Sequence, residues 1–304
     1  METLFLQWLD TQLSPHPRVQ LGVGDDAAIL NADPAPTVVC VDTVVEGTDF
    51  VLADTALNLV GRKALAINLS DLAAMGSLPV AALGSLIVPP SFELDDCKQV
   101  YGGLLQLASE HGLALVGGDF TVANSPLTLT VTLLGDPSPG GCWRRSGADP
   151  GDHLLVTGTL GGSILGHHLS FEPRLPESAW LSQHASVKAC IDVTDGLLLS
   201  CHLLAEANQL AIQLDTDAIP ISPVAVQQSA NSDRTPLQHA LLDGEDFELL
   251  FAVDPAEAND LLAQQPFSCG LSRLATFEAG SGVFGMNSQG QSTPLARDGY
   301  IHGS

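Results

Sequence analysis

The chain has 304 residues, 45% of them hydrophobic, and carries 35 acidic against 11 basic side chains, a formal charge of −24. Such a length predicts about two domains with real cores. So few cations, only three of them lysines (Lys63, Lys98 and Lys188), leave no basic stripe to neutralise a polyanion, which excludes nucleic acid as a partner.

In chain order, residues 1–13 place Leu4, Phe5, Trp8, Leu9 and Leu13 at helical spacing. They lack the positive n-region and small-residue cleavage site of a signal peptide, so an amphipathic helix is expected. Next, GVGDDAAIL sets Asp25 and Asp26 between a glycine turn and an apolar run. Two carboxylates about 4 Å apart repel by roughly 4 kcal/mol at an effective dielectric near 20, so something must offset them. Taken alone, the stretch reads as a turn with an aspartate cap. Thr37 to Val45 is β-branched and apolar and predicts a strand; Thr55 to Met75 and Asp95 to His111 predict helices. The apolar run from Leu78 to Pro90 is broken by Gly84 and Ser85 and is too short to cross a bilayer, so no membrane partner is expected. LTLTVTLL, from Leu127 to Leu134, alternates threonine with apolar residues, the period-two signal of a half-buried strand.

Residues 135–152, dense in Gly, Pro, Ser and Asp, read as a surface connection, which sets two domains at 1–137 and 138–304. Beyond it, Asp152 to Thr157 predicts a strand leading into Gly158–Gly162, Gly196 to Gln209 a helix, and Phe247 to Val253 a strand. Both halves are mixed α and β, without a long internal repeat. The six cysteines form no C-x-x-C pair and read as reduced, cytoplasmic thiols. The nine histidines form no H-x-x-x-H arrangement, and the side chains of His167 and His168 diverge on any helix or strand, so no zinc site is expected. TGTLGG lacks the lysine of a phosphate-binding Walker loop, and no Rossmann fingerprint follows a strand.

Several aspartates stand at the ends of apolar runs: Asp42 in VVCVDT, Asp119 in LALVGGDF, Asp192 and Asp195 in ACIDVTDG. Any one of them is readable as a cap or turn residue. As a set with almost no lysine to pair it, they point to magnesium, a hard cation that keeps several waters and is completed by substrate phosphates. ATP is then held through metal bridges, and the same cations offset the crowded pair at 25 and 26.

The segments GVGDDAAIL, VDTVVEG, KALAINLSDLAAMGS, LVGGDFT, RRSGADPGD, IDVTDGL and DGEDFELLF span nearly the whole chain. In this order and spacing they resemble thiamine-monophosphate kinase, within the superfamily of aminoimidazole-ribonucleotide synthetase. The resemblance implies a mixed α/β fold of two domains in a cytoplasmic homodimer. The N-terminal domain binds ATP and magnesium and pairs its sheet across the dimer, and the C-terminal domain closes the active site. It also implies an enzyme, a phosphotransferase that moves the γ-phosphoryl group of ATP onto the phosphate of thiamine monophosphate.

By position, Asp26, Asp42, Asp71, Asp119, Asp192 and Asp195 resemble the family's ligands to several magnesium ions, with Cys40 and Val41 where it places further ligands. Gly118, Asp119, Tyr101, Arg145 and Thr194 resemble its nucleotide contacts, and Asp49, Glu245 and Tyr300 stand where it contacts the thiamine moiety. Asp71, Asp119 and Arg145 are implied to carry the catalysis. Bland readings stand beside these: Arg145 as a solvated linker charge, Glu245 as turn polarity, Tyr300 as C-terminal packing, Tyr101 as a half-buried helix residue.

The chain departs from the family at Asp49-Phe50, where a histidine usually precedes the phenylalanine. It departs again at Cys40 and Val41, which replace hydroxyl residues, and after Tyr300. A degenerate member that binds without efficient catalysis, or another ATP-using enzyme of the superfamily, is the alternative. Against the latter, the glycine-rich loop with a reactive cysteine of selenophosphate synthetases is not seen, and DGEDFEL with NLSDLAAMG disfavours an aminoimidazole-ribonucleotide synthetase.

Overall fold

The alternation of threonine and apolar residues near 130 builds a strand with one packed and one open face, and the first large sheet, four-stranded, grows around it. In the computed structural model, which describes residues 2–13, 16–21, 29–31, 36–287 and 290–300, the chain divides into two compact units. One comprises Met1–Leu72 with Ser77–Pro137, the other Ala73–Gly76 with Ser138–Ser304. Asp25 and Asp26 lie outside the described residues.

The first unit runs α1 (Glu2–Asp10), β1 (Val19–Leu21), β2 (Ile29–Leu30), β3 (Val38–Val45), α2 (Leu57–Ala74, its last two residues in the other unit), β4 (Ser77–Val88), α3 (Leu94–Glu110), β5 (Ala114–Val122) and β6 (Thr128–Pro137). Its four-stranded sheet has the order β3-β6-β4-β5, parallel only between β4 and β5. The apolar run over 78–90 is thus an inner strand. Its register shifts between Pro79 and Ala81, as expected where a residue without an N–H sits in a ladder. The last strand also runs on to Pro137, into the stretch that composition marks as a connection.

Leu129, Val131 and Leu133 are fully buried on one face. There Phe5 of α1 sets its ring 4.8 Å from Tyr101 and 5.2 Å from Phe120. The other face is open: Val39 and Val41 are 60% and 59% exposed, beside a rung where Thr43 Oγ1 lies 2.8 Å from Thr130 Oγ1.

The second unit runs β7 (His153–Thr157), α4 (His167–Ser170), α5 (Leu175–His184), β8 (Ala189–Asp192), α6 (Leu197–Asn208), β9 (Leu210–Asp215), α7 (Pro223–Ser229), α8 (Pro236–Leu242), β10 (Leu249–Val253), α9 (Pro255–Gln264), β11 (Leu271–Ala279), β12 (Gly282–Met286) and β13 (Ser292–Leu295). Its seven-stranded sheet has the order β13-β12-β9-β11-β7-β10-β8. Every residue of β10 is buried, which is why LLFAV is a continuous apolar run and not an alternating one. The antiparallel register sets Leu249 opposite Asp192 and Leu250 opposite Val156. The ends of β7 and β8 and the start of β10 therefore lie at one end of the sheet, which brings the loops 158–162, 193–196 and 243–248 together. Among the described residues no helix is long and apolar enough to cross a membrane.

Candidate functional site

In the first unit, Asp42 stands on β3 opposite Val131, half-buried like Asp71 on α2, while Asp119 on β5 is exposed. Thr121 Oγ1 donates to Asp119 Oδ2 at 3.2 Å. The preceding Gly118 is required by packing, because a Cβ there would lie 1.9 Å from the carbonyl oxygen of Gly84. That same carbonyl accepts the Tyr101 hydroxyl at 3.0 Å. Burial, with the charge of Asp119 adding to it, pushes the Tyr101 pKa up and keeps the hydroxyl a donor. Tyr101, 2% exposed, therefore supports the backbone beneath Gly118 and Asp119.

The thiol of Cys40 points at α2, 3.5 Å from the backbone carbonyl and 3.6 Å from the side-chain oxygen of Asn68, and the Val41 side chain lies on the open face. Asp49 closes its own turn, its Oδ2 accepting from Val45 N at 2.7 Å. The buried Lys63 donates from Nζ to the Asp49 carbonyl at 2.9 Å. Among the described residues, no three His, Cys, Asp or Glu side chains stand close enough to hold a metal ion by themselves.

In the second unit, five of the expected positions, Asp192, Thr194, Asp195, Glu245 and Tyr300, fall at the gathered end of the sheet. Asp192 is 5% exposed at the end of β8, and Thr194 and Asp195 follow in the loop, with Thr194 Oγ1 3.4 Å from Asp195 Oδ2. The loop around Glu245 runs against them: the Glu245 N–H donates to the Thr194 carbonyl, and the Phe247 N–H to the Val193 carbonyl at 2.9 Å. Tyr300 joins them through its N–H, 3.0 Å from the Asp195 carbonyl. Glu245 and Phe247 have φ of 62° and 53°. Left-handed backbone at two non-glycine residues costs of order 1–3 kcal/mol each and persists only where the surroundings impose it.

The surroundings here are carboxylate ties. Asp246, 2% exposed, accepts from Gly161 N at 2.9 Å and Ser163 Oγ at 2.6 Å. Glu248, equally buried, is held by Arg174 through Nε at 2.7 Å and Nη2 at 2.6 Å and by Thr157 Oγ1 at 2.6 Å. Burial alone would lower the Arg174 pKa, but the bond and charge of Glu248 more than reverse that and hold it raised. Asp243, the first acid of the loop, lies 2.8 Å from His239 Nδ1, whose Nε2 lies 2.7 Å from Ser232 Oγ. Glu245 itself pairs with His168 Nδ1 at 3.1 Å.

Arg145 is exposed in a loop whose backbone is clamped by one side chain. Asn208 Nδ2 donates to the Arg145 carbonyl at 2.9 Å, and its Oδ1 accepts from Gly147 N and Ala148 N at 2.7 and 2.8 Å. The neighbouring Arg144 carbonyl accepts from Cys190 N at 2.8 Å, registering the loop on β8.

Sequence reasoning missed His168, Arg174 and Asn208, and left Asp246 and Glu248 unassigned. One signal was available for Arg174. In a chain with 11 Lys and Arg, a cation inside a Pro- and Leu-rich stretch is a candidate partner for a buried acid. Nothing in the sequence links His168 to Glu245 or Asn208 to Arg145, because those pairs are made by the fold.

Residues 24–136 match the family of AIR synthase related protein, N-terminal domain. The chain is 37% identical over 311 residues to a thiamine-monophosphate kinase of Rhodopirellula baltica, covering 100% of this chain and 98% of that one. The crystal structure of thiamine-monophosphate kinase from Stenotrophomonas maltophilia superposes with a TM-score of 0.80 at 30% identity, covering 95% of each chain. AaThiL complexed with AMPPCP and TMP superposes with a TM-score of 0.78 at 25% identity, covering 99% of this chain and 95% of that one.

The buried acid at 246 makes stability depend on pH. Burial, reinforced by the charges of Glu248 and Asp243, raises its pKa from 3.8 to about 7 against the opposing hydrogen bonds from Ser163 and Gly161. Between those values the folded chain binds more protons than the unfolded one, so this group's contribution falls as pH rises, by up to about 1.4 kcal/mol per pH unit. Urea unfolding of wild type and Asp246→Asn from pH 4.5 to 7.5 is expected to show the wild type losing stability relative to the variant as pH rises. A pH-independent difference contradicts the burial account.

Proposed function

The chain belongs to the thiamine-monophosphate kinases, and from that premise we propose how its residues divide the work of phosphorylating thiamine monophosphate with ATP. An oxygen of the acceptor phosphate forms a bond to the γ-phosphorus, the bond from that phosphorus to the bridging oxygen breaks, and ADP leaves with the electron pair. The observation that carries the reading is the 37% identity along the entire chain, together with the fold shared with a protein complexed with AMPPCP and TMP.

The attacking oxygen is already ionised, so no protein base is needed; positioning and charge neutralisation are. The carboxylates Asp42, Asp71 and Asp119 in the first unit, with Asp26, and Asp192 and Asp195 in the second, are hard oxygen donors of the kind magnesium takes. One or two carboxylates per ion suffice when water and phosphate complete the shell, so the donors fit even though no three described side chains cluster. Bound magnesium supplies the neutralisation of phosphate charge.

Arg145 makes no ion pair among the described residues and presents a planar fork suited to phosphate oxygens. We assign it, with Thr194 and the bare backbone at Gly118, to the nucleotide. Glu245 and Tyr300 are assigned to the thiamine moiety, the carboxylate accepting hydrogen bonds from its nitrogen-bearing groups. Asp49 spends one oxygen on its own turn, so any acceptor contact falls to the other. All six cysteines are reduced, which supports a cytoplasmic setting.

The open face of the first sheet is assigned to a second copy of the chain. Val41, Thr132 and Leu83 lie on one rung of it, and an exposed apolar patch of this kind marks an interaction surface. Sedimentation is expected to give twice the chain mass of 31.7 kDa at micromolar concentration; a monomer mass contradicts the assignment.

Incubation with ATP, magnesium and thiamine monophosphate is expected to yield thiamine diphosphate by chromatography. Asp71→Asn is expected to lose at least about a hundredfold in turnover, comparable to losing an electrostatic partner of the transition state, with its thermal midpoint nearly unchanged. Normal turnover by this variant removes Asp71 from the metal set.

A further inference from the structure

Glu245 is held by more than its backbone. Its Oε2 lies 3.1 Å from Nδ1 of His168, with the Glu245 side chain 29% exposed and that of His168 7% exposed. His168 sits in α4, a single turn whose C-terminal neighbour Phe171 stacks on Phe247, ring centroids 4.0 Å apart and planes 11° from parallel. Phe171 and Phe247 are 2% and 4% exposed. Residues 168 and 171 thus grip residues 245 and 247, and the turn that carries the histidine cannot shift without disturbing the aromatic stack. The grip falls on two of the four non-glycine positions with left-handed backbone among the described residues.

We propose that His168 is a positioning residue for the acceptor: by donating from Nδ1 to one oxygen of Glu245, it fixes the carboxylate that receives the thiamine moiety. This rests on the assignment of Glu245 to the acceptor made above. The role is specific to one nitrogen and one substrate. Loss of the bond frees the Glu245 side chain to rotate, which weakens acceptor binding and leaves the nucleotide contacts as they are.

The amide nitrogen of asparagine stands close to where Nδ1 stands, whereas glutamine carries its amide about where Nε2 does, so the two variants separate geometry from polarity. His168→Asn is expected to keep KM for thiamine monophosphate within about threefold. His168→Gln and His168→Leu are expected to raise it about tenfold or more, the size of one charge-assisted hydrogen bond, with KM for ATP unchanged in all three. In a double-mutant cycle with Glu245→Ala, which removes the carboxylate oxygens, the effect of His168→Leu is expected to vanish.

Equal KM values for the asparagine and glutamine variants, a parallel rise in KM for ATP, or additivity in the cycle overturns the positioning role while the kinase assignment stands. A wild type that makes no thiamine diphosphate overturns both. Should the leucine variant fail to fold, the asparagine and glutamine pair decides alone.

Discussion

Two carboxylates, Asp246 and Glu248, are each 2% exposed in a chain that has few cations to give them, and the geometry of the second unit's loops depends on how they are satisfied. A buried charge left without partners costs several kcal/mol. Glu248 takes Arg174 and Thr157; Asp246 takes the backbone at Gly161 and the hydroxyl of Ser163, and retains a pKa of about 7. The Glu248 bonds dictate the first glycine of TGTLGG, Gly158, while Gly161 and Gly162 are bare because the backbones of α8 and α7 pass over them. A Cβ at Gly158 would stand 2.0 Å from Glu248 Oε1, so the turn resembling a phosphate loop is bare at this position in order to admit the acid.

Once both ends of the 246–248 segment are tied, the backbone between them has little freedom. Phe247 is driven into a left-handed conformation with its N–H on the Val193 carbonyl, and Glu245 into another with its N–H on the Thr194 carbonyl. The loop that follows β8 is thereby joined to the loop that precedes β10, and Tyr300 is fastened to the same place through Asp195. The strain stored at two residues is of the same order as a few net hydrogen bonds, so the ties suffice to hold it. Glu245 and Tyr300, which we assign to the acceptor, are therefore held in place by the fold itself, and a site held in this way lowers the entropy that binding must supply.

Much of this was legible in the sequence, and for definite reasons. Alternation at 127–134 gave a strand with one open face because the sheet is packed on one side only, and the strand-end aspartates were conspicuous because lysine is scarce. Ordered motifs pointed to the family independently of any one residue. Other features were illegible because they are made by the fold. Gly84 looks like an interruption until Tyr101 is seen to need a bare backbone above it, and the bond by which Asp49 closes its turn on Val45 cannot be read from the motif. The roles of His168 and Asn208 each require a partner far away in the chain.

The preformed state of the loop around Glu245, proposed to receive the acceptor, is measurable without altering a residue. Amide hydrogen exchange of the ligand-free protein reports directly on the N–H groups of Glu245 and Phe247. Protection of both on the scale of β10 is the predicted result, because each is bonded to the loop after β8 and tied down by buried carboxylates. Exchange at the rate of an open loop, with protection appearing only when thiamine monophosphate is added, would contradict the account.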